Sequence, residues 1–226
     1  MPSKYRRLPR RQFLAAASTV SAFVAIRTCV SAQNLPPESR APAAKVVVPR
    51  ILSLALTSSA SLAEMKEFYH RTLGLPVLEE KADRLTIGAG KTRIAFSPEK
   101  GDRKPFYHFA FNIPENKVLA AHRWQIQRTP LLPIPRTLRD PQYPDDVVDY
   151  RHWNAHSIFF FDPAGNVVEY IGRHDLRNGA PGAFSSADIL YASEIALVVD
   201  DVNVLHSSSR RNSHSVYTRP RQQEAN

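Results

Sequence analysis

Histidine, aspartate and glutamate side chains carry the reactive chemistry available to this sequence. Among its 226 residues are eight histidines, 21 acidic residues and a single cysteine. That cysteine, Cys29, lies in an N-terminal segment that we expect to be removed, so the mature chain would have no thiolate nucleophile, disulfide or cysteine metal ligand. The remaining chemistry is that of imidazole and carboxylate groups, which act in proton transfer or bind zinc, iron, manganese or nickel.

Residues 1–32 are typical of an export signal. A basic start leads to Arg10 and Arg11, an uncharged stretch then runs to Ile26, and small residues follow at positions 30 and 32. Paired arginines before Phe-Leu are similar to the twin-arginine signal of bacteria. The apolar stretch is too short for a permanent membrane span. We therefore expect a periplasmic or secreted protein whose mature chain begins near Gln33.

The positive charge of the chain is confined to its two ends. The formal net charge is +9, and the excess of basic residues lies within 1–32 and 207–226. Between these ends, basic and acidic residues balance. A nucleic-acid-binding domain would carry its basic patch within the folded body, so the charge distribution argues against a nucleic-acid partner.

The body of the chain shows one order of elements twice. In the first copy, a capping box of Ser61 and Glu64 predicts the start of a helix that ends at Gly74. Apolar alternation predicts one strand before this helix and three after it. The predicted strands cover residues 51–57, 75–79, 84–87 and 92–97.

The second copy begins with a strand over 107–113 and a helical stretch over 115–128. A proline-rich insertion over 129–150 follows, and then two strands over 157–161 and 166–171. The same strand opening returns at 193–199, so we expect a partial third copy over 176–206. Residues 33–49 are predicted to be a linker. Residues 207–226 have almost no apolar side chains and are predicted to be a disordered tail.

Three stretches of this repeat resemble the vicinal oxygen chelate superfamily, which includes glyoxalases, bleomycin-resistance proteins and extradiol dioxygenases. Phe68-Tyr69 with Leu73-Gly74-Leu75 is similar to the end of the first family helix. Tyr107-His108-Phe109-Ala110-Phe111 is similar to the strand that opens the second module. The run from Phe161 to Glu169, FDPAGNVVE, is similar to the closing hairpin. The resemblance implies an α+β fold over residues 50–175, with paired βαβββ modules forming a curved mixed-sheet cup.

The resemblance also implies where a metal site would lie. Members of this superfamily take metal ligands from the opening and closing strands of each module, and the four matching positions are Ser53, Ala95, His108 and Glu169. His108 and Glu169 suit a divalent metal, with Glu169 as ligand or catalytic base. Ala95 cannot coordinate a metal, and a serine hydroxyl is a poor ligand. Glu194 or His156 is therefore considered as a third ligand.

Two functions stay open from the sequence. One is a metal-dependent lyase, isomerase or dioxygenase that acts on a small organic substrate held in the cup. The other is a non-catalytic protein that binds or sequesters a small molecule and has a degenerate metal site. A homodimer is compatible with both. Arg151 and Arg173 are candidates for holding an anionic substrate, although solvated surface charges are the simpler interpretation.

Overall fold

The structure of the protein is a computed structural model that describes residues 50–102, 104–199 and 217–218. The predicted signal peptide over 1–32 and the predicted linker over 33–49 lie outside these residues, as do 200–206 and most of the predicted tail. Within the described part, no helix is long and apolar enough to cross a membrane.

The first module forms a four-stranded sheet with the order β1-β4-β3-β2. Strand β1 is parallel to β4, while β3 pairs antiparallel with both β4 and β2. The chain therefore leaves β1, crosses over through the helix to the far edge and returns by two hairpins. Its elements are β1 (Ser53–Ser58), α1 (Leu62–Lys66), β2 (Val77–Lys81), β3 (Arg84–Ala89) and β4 (Thr92–Pro98).

Helix α1 begins with the predicted capping box. The side chain of Ser61 accepts from the backbone N–H of Glu64 at 3.2 Å, and the Glu64 carboxylate accepts from the backbone N–H of Ser61 at 2.9 Å. Two of the backbone N–H groups that lack partners within the helix are thus satisfied, which confirms this prediction. The helix continues as a π-helical turn over Glu67–Thr72, and the chain then reverses at Gly74, whose φ is +72°.

The second module repeats this strand order and adds two strands. The six-stranded sheet has the order β10-β9-β5-β8-β7-β6, with β5 parallel to β8 as β1 is to β4. Its elements are β5 (Tyr107–Ile113), α2 (Val118–Ile126), β6 (Val148–Tyr150), β7 (Ala155–Phe161), β8 (Val167–Arg173), β9 (Tyr191–Val199) and β10 (Tyr217–Thr218). Two βαβββ modules with mixed sheets confirm the predicted fold class.

Two parts of the second module differ from the expected picture. The proline-rich insertion ends in strand β6, which pairs with β7 and supplies the edge strand of the module. Strand β9, expected to open a third module, pairs antiparallel with β5 and so extends the second sheet. Strand β10, within the predicted tail, pairs with β9. Tyrosine and threonine favour such extended pairing, which a count of aliphatic residues underestimates.

The two modules share one hydrophobic core. Leu54 and Leu56 on β1 belong to it, as do Phe109 and Phe111 on β5, because alternate residues of a strand point to one face. Aromatic contacts connect the modules, with the ring centroids of Phe68 and Phe160 6.3 Å apart. The opposite faces of the opening strands are thereby left to form the cup.

A buried carboxylate also connects the modules. The hydroxyl of Tyr69 donates to Asp162 Oδ2 at 2.9 Å, and the backbone N–H and Nδ2 of Asn166 donate to the same side chain at 2.9 and 2.8 Å. Burial raises the pKa of Asp162 to about 6, against these hydrogen bonds, which lower it. The Phe68-Tyr69 stretch of the first module and the FDPAGN stretch of the second therefore contact each other. These contacts hold the two modules together.

Candidate functional site

His108 and Glu169 lie together on the cup face of the second module. His108 is on β5 and Glu169 is on the neighbouring parallel strand β8, where it pairs with Ala110. The two side chains reach across the intervening space, and His108 Nε2 lies 2.8 Å from Glu169 Oε2. The His108 side chain is 29% exposed and that of Glu169 only 3%. A ring open to the cup is thus bonded to a buried carboxylate.

Both oxygens of Glu169 have hydrogen-bond donors. Ser157 on β7 donates its hydroxyl to Oε1 at 2.6 Å, and the imidazole faces Oε2. A carboxylate only accepts, so Nε2 of His108 carries the proton in this pair. Nδ1 is then the acceptor nitrogen of the neutral ring. Such a carboxylate–imidazole pair is suited to general base catalysis.

Small and aromatic residues form the floor beside this pair. Ala110, Ala155 and Ile171 form a buried apolar cluster, and Tyr150 and Trp153 pack against it. The rings of Tyr150 and Trp153 lie 5.1 Å apart. Burial raises the pKa of Tyr150 well above its usual range, and the nearby carboxylates of Glu169 and Glu194 raise it further. Tyr150 is therefore a phenol O–H donor at neutral pH.

Glu194 and Arg173 form an ion pair on the same face. Glu194 on β9 pairs with Ala110, and its carboxylate accepts from the guanidinium of Arg173. Burial and the charge of Glu169 raise the pKa of Glu194, and Arg173 opposes this shift. Arg173, considered from sequence as a solvated charge or an anion-binding group, is thus engaged with a carboxylate. Its guanidinium carbon also lies 6.0 Å from the ring centroid of Trp153.

His156 does not join His108 and Glu169. It is adjacent to Ser157 on β7, and neighbouring strand residues point to opposite faces of the sheet. Because Ser157 faces Glu169, His156 faces away, and it contacts His174, Asp140 and the ring of Tyr143. The register of the hairpin decides this outcome, with Ser157 paired to Ile171 and Phe159 to Glu169.

The first module offers no metal donors at the matching positions. Ser53 is exposed and Ala95 has no donor atom, while the oxygens of Glu169 already accept from Ser157 and His108. Across the ranges that the structure describes, no group of three or more histidine, cysteine or acidic side chains is arranged to hold a metal ion. The donor set therefore does not fit the complete metal centre that the resemblance implied.

Sequence reasoning missed two residues of this site. Ser157 and Tyr150 lie near His108 and Glu169, yet no motif marks them. Strand alternation combined with the hairpin register would have placed Ser157 beside Glu169. Tyr150 lies at the end of the proline-rich insertion, where the sequence gives no strand signal.

Comparisons with known proteins agree with the resemblance. No family model matches the chain. A curated relative, "Glyoxalase 1" of Caenorhabditis elegans, is 33% identical over 75 residues, which is 31% of this chain and 26% of that protein. The chain thus spans about a quarter of the length of the curated relative that it matches.

Solved structures with a similar fold have low sequence identity to this chain. A glyoxalase/bleomycin resistance protein/dioxygenase from Alicyclobacillus acidocaldarius has a TM-score of 0.42 at 17% identity and covers 59% of this chain and 98% of its own. A lactoylglutathione lyase from Agrobacterium tumefaciens has a TM-score of 0.40 at 18% identity, covering 60% and 94%.

The resemblance to the superfamily is therefore supported by the motifs and strand order of this chain together with the match to "Glyoxalase 1". The three motifs fall at the predicted elements. The strand order β5-β8-β7-β6 of the second module is the same as β1-β4-β3-β2 of the first. The resemblance of this chain to the vicinal oxygen chelate superfamily, with its paired βαβββ modules, is thereby confirmed.

Proposed function

We propose that this protein binds a small organic molecule on the cup face of the second module and transfers a proton with His108. The observation that carries the proposal is the hydrogen bond of 2.8 Å between His108 Nε2 and the buried carboxylate of Glu169. Glu169 holds the imidazole in the tautomer with Nδ1 unprotonated, and the ring remains 29% exposed. A positioned base of this kind accelerates proton transfer by about 10²–10⁴-fold.

The substrate class follows from what surrounds the base. A carbon acid next to a carbonyl group loses its proton to Nδ1. The electron pair of the C–H bond forms a carbon–carbon double bond, and the π pair of the carbonyl group moves to its oxygen. The phenol of Tyr150 is a donor for that oxyanion, because its raised pKa keeps it protonated. In an α-hydroxy carbonyl substrate, the imidazolium returns this proton to the former carbonyl carbon while the hydroxyl proton passes to the other oxygen, which gives the isomeric α-hydroxy carbonyl compound. This reaction is in keeping with the name of the curated relative, a glyoxalase.

A solvent-exchange assay tests this function without a known substrate. Small α-hydroxy ketones and α-hydroxy aldehydes are incubated with the protein in D₂O, and loss of the carbon-bound proton is followed by NMR. We expect wild-type exchange above background and a loss of about 100-fold or more in His108→Gln. His70→Gln is the matched control, because His70 is an exposed residue of the first module whose Nδ1 lies 2.8 Å from the Leu75 carbonyl oxygen.

A binding protein without catalysis is the second candidate, and the first module favours it. Ser53 and Ala95 stand in that half of the cup at the positions equivalent to His108 and Glu169. Under this candidate the same compounds bind, as seen in ligand-detected NMR, but none of them exchanges a proton faster than in buffer. Exchange that is equal in wild type and His108→Gln would also remove the catalytic proposal.

Export remains a separate proposal, based on residues outside the described range. Arg10 and Arg11 are expected to direct the chain through the twin-arginine route. Replacing both with lysine should abolish appearance of the protein outside the cytoplasm, as measured by cell fractionation. Unchanged export of that variant would contradict the signal type.

A further inference from the structure

Strand β7 presents one polar side chain to the cup. Its cup-facing positions are Ala155, Ser157, Phe159 and Phe161, since alternate residues of a strand share a face. Ser157 is fully buried, and its hydroxyl donates to Oε1 of Glu169 at 2.6 Å. A serine hydroxyl has a single proton, so this proton is committed to the carboxylate. Ser157 therefore bonds the same carboxylate that faces His108.

Two hydrogen bonds fix the carboxylate of Glu169. Ser157 donates to Oε1, and Nε2 of His108 donates to Oε2 at 2.8 Å. The terminal torsion of a glutamate side chain is broad and roughly two-fold, so a carboxylate held at one oxygen can still rotate about its last bond. A second donor on the other oxygen removes this freedom. Because the Glu169 side chain is only 3% exposed, water has little access to replace Ser157.

Phe159 confines the imidazole from the side. It pairs with Glu169 across β7 and β8, and its ring centroid lies 5.8 Å from that of His108 with the ring planes tilted by 56°. Phe159 forms no hydrogen bond with the imidazole, so it limits where the ring lies and does not select which nitrogen carries the proton. That selection depends on the partner of Nε2, which is the carboxylate held by Ser157.

We infer that Ser157 is a positioning residue of the cup, which acts through Glu169 to set the tautomer of His108. In a neutral imidazole either nitrogen can carry the proton. A carboxylate fixed with Oε2 toward Nε2 favours the Nε2–H form and leaves Nδ1 as the base. Once the carboxylate can turn away, the Nδ1–H form becomes accessible, and that form has no lone pair at Nδ1. The catalytic meaning of this inference rests on the proposed function, whereas the tautomer itself is set without substrate.

A purely structural Ser157 would behave differently. Its loss would lower the free energy of unfolding and leave the His108 proton on Nε2. Loss of a positioning Ser157 also changes the location of this proton and the rate of proton transfer. An imidazole in the wrong tautomer is a poor base even when its position is intact. The tautomer of the His108 ring therefore separates the two roles.

Nitrogen NMR of the full chain with ¹⁵N-labelled histidine measures this tautomer directly. Spectra are recorded at pH 8, and the His108 signals are identified by their loss in His108→Gln. We expect wild type to show the Nε2–H form alone and Ser157→Ala to show both forms. Ser58→Ala is the matched control and should agree with wild type, because Ser58 is a buried serine of the first module whose hydroxyl donates to the Ala60 carbonyl.

The exchange assay in D₂O gives the second readout. With an α-hydroxy ketone that wild type exchanges, we expect Ser157→Ala to lose about 10–100-fold in rate and Ser58→Ala to keep the wild-type rate. Thermal melting shows whether each variant is folded. Should Ser157→Ala fail to fold, Ser157→Cys takes its place, because a thiol is similar in size to the hydroxyl and is only a weak donor. It should shift the tautomer in the same direction.

An Nε2–H form that is equally complete in wild type and Ser157→Ala would overturn the inference, whatever the exchange rates. A mixture of forms already present in wild type would do the same. The proposed function fails by a different result. If no compound exchanges in wild type while Ser157→Ala changes the tautomer, proton transfer is removed as the function and Ser157 still positions the ring.

Discussion

The two modules have the same strand geometry and different cup faces. In the first, Ala55 on β1 pairs with Ala95 on β4, and Ser53 lies two residues before Ala55. In the second, Ala110 on β5 pairs with Glu169 on β8, and His108 lies two residues before Ala110. The positions are therefore equivalent, while serine and alanine stand where the second module has histidine and glutamate.

This difference shows that fold and chemistry are encoded on opposite faces of the same strands. The core face is apolar in both modules, with Leu54 and Leu56 in β1 and Phe109 and Phe111 in β5. Because side chains alternate along a strand, the cup face can lose its reactive groups without changing the core face. The first module keeps the fold and lacks the site.

Core substitutions should have the largest effect and should be alike in the two modules. Phe96→Ala in the first and Phe109→Ala in the second each remove a fully buried ring. We expect each to lower the free energy of unfolding by about 3–5 kcal/mol. Because the core is shared, urea denaturation followed by circular dichroism and tryptophan fluorescence should give one coincident transition. Two separated transitions would show that the modules are independent.

The joint between the modules should respond to pH. Burial raises the pKa of Asp162 from 3.8 to about 6 in the folded state. Between these two pH values the folded protein therefore holds a proton that the unfolded chain releases. The favourable contribution of Asp162 to the free energy of unfolding is complete below about pH 4. It falls by up to about 3 kcal/mol as the pH rises to about 6. The measurement is the stability of wild type minus that of Asp162→Asn at several pH values.

That difference should fall between pH 4 and 6 and stay level above pH 6. Use of the difference removes the contribution of the other carboxylates, which both proteins share. A difference that stays level over the same range would mean that the folded protein holds Asp162 ionised. The first module has no counterpart, because its closing hairpin turns at Gly90, between β3 and β4.

The cup faces should differ in their response to loss of a hydroxyl. Ser157→Ala removes the donor to Oε1 of Glu169 and leaves a buried carboxylate oxygen without that hydrogen bond. We expect a loss of about 1–3 kcal/mol in the free energy of unfolding. Ser53→Ala, on the exposed cup face of the first module, should change it by less than about 0.5 kcal/mol. Equal effects in urea denaturation would contradict the contrast between the faces.

The sequence predicted what depends on local pattern and on the family motifs. The capping box at Ser61 and the order of elements in the first module followed from residue types and spacing, and the placement of His108 and Glu169 on the opening and closing strands of the second module followed from the family resemblance. Contacts that depend on the pairing register of distant strands could not be predicted in this way. The direction of His156 depended on the β7–β8 pairing, and Arg173 meets Glu194 only because β9 adds to the edge of β5. No local sequence pattern marked His174, because its partners His156, Glu115 and Asn154 come from other segments of the chain.

Transfer of the reactive pair into the first module should have the smallest effect on stability and would give the sharpest comparison. Ser53→His with Ala95→Glu places the residue types of His108 and Glu169 at equivalent positions. Ser53 is exposed and Ala95 only partly buried, so neither new side chain displaces the core formed by Leu54, Leu56 and Phe96.

We expect the free energy of unfolding of this double variant to stay within about 0.5 kcal/mol of wild type, as is usual for surface changes. If the new residues bond as His108 and Glu169 do, the double variant should be more stable than the sum of its single variants predicts, a coupling of at least about 0.5 kcal/mol in a double-mutant cycle. Ser53→His with Ala55→Glu is the control, because Ala55 and Ser53 lie on one strand and have a different spacing. A loss of several kcal/mol in the double variant would show that the cup face of β1 and β4 is packed, and that its small residues serve the fold.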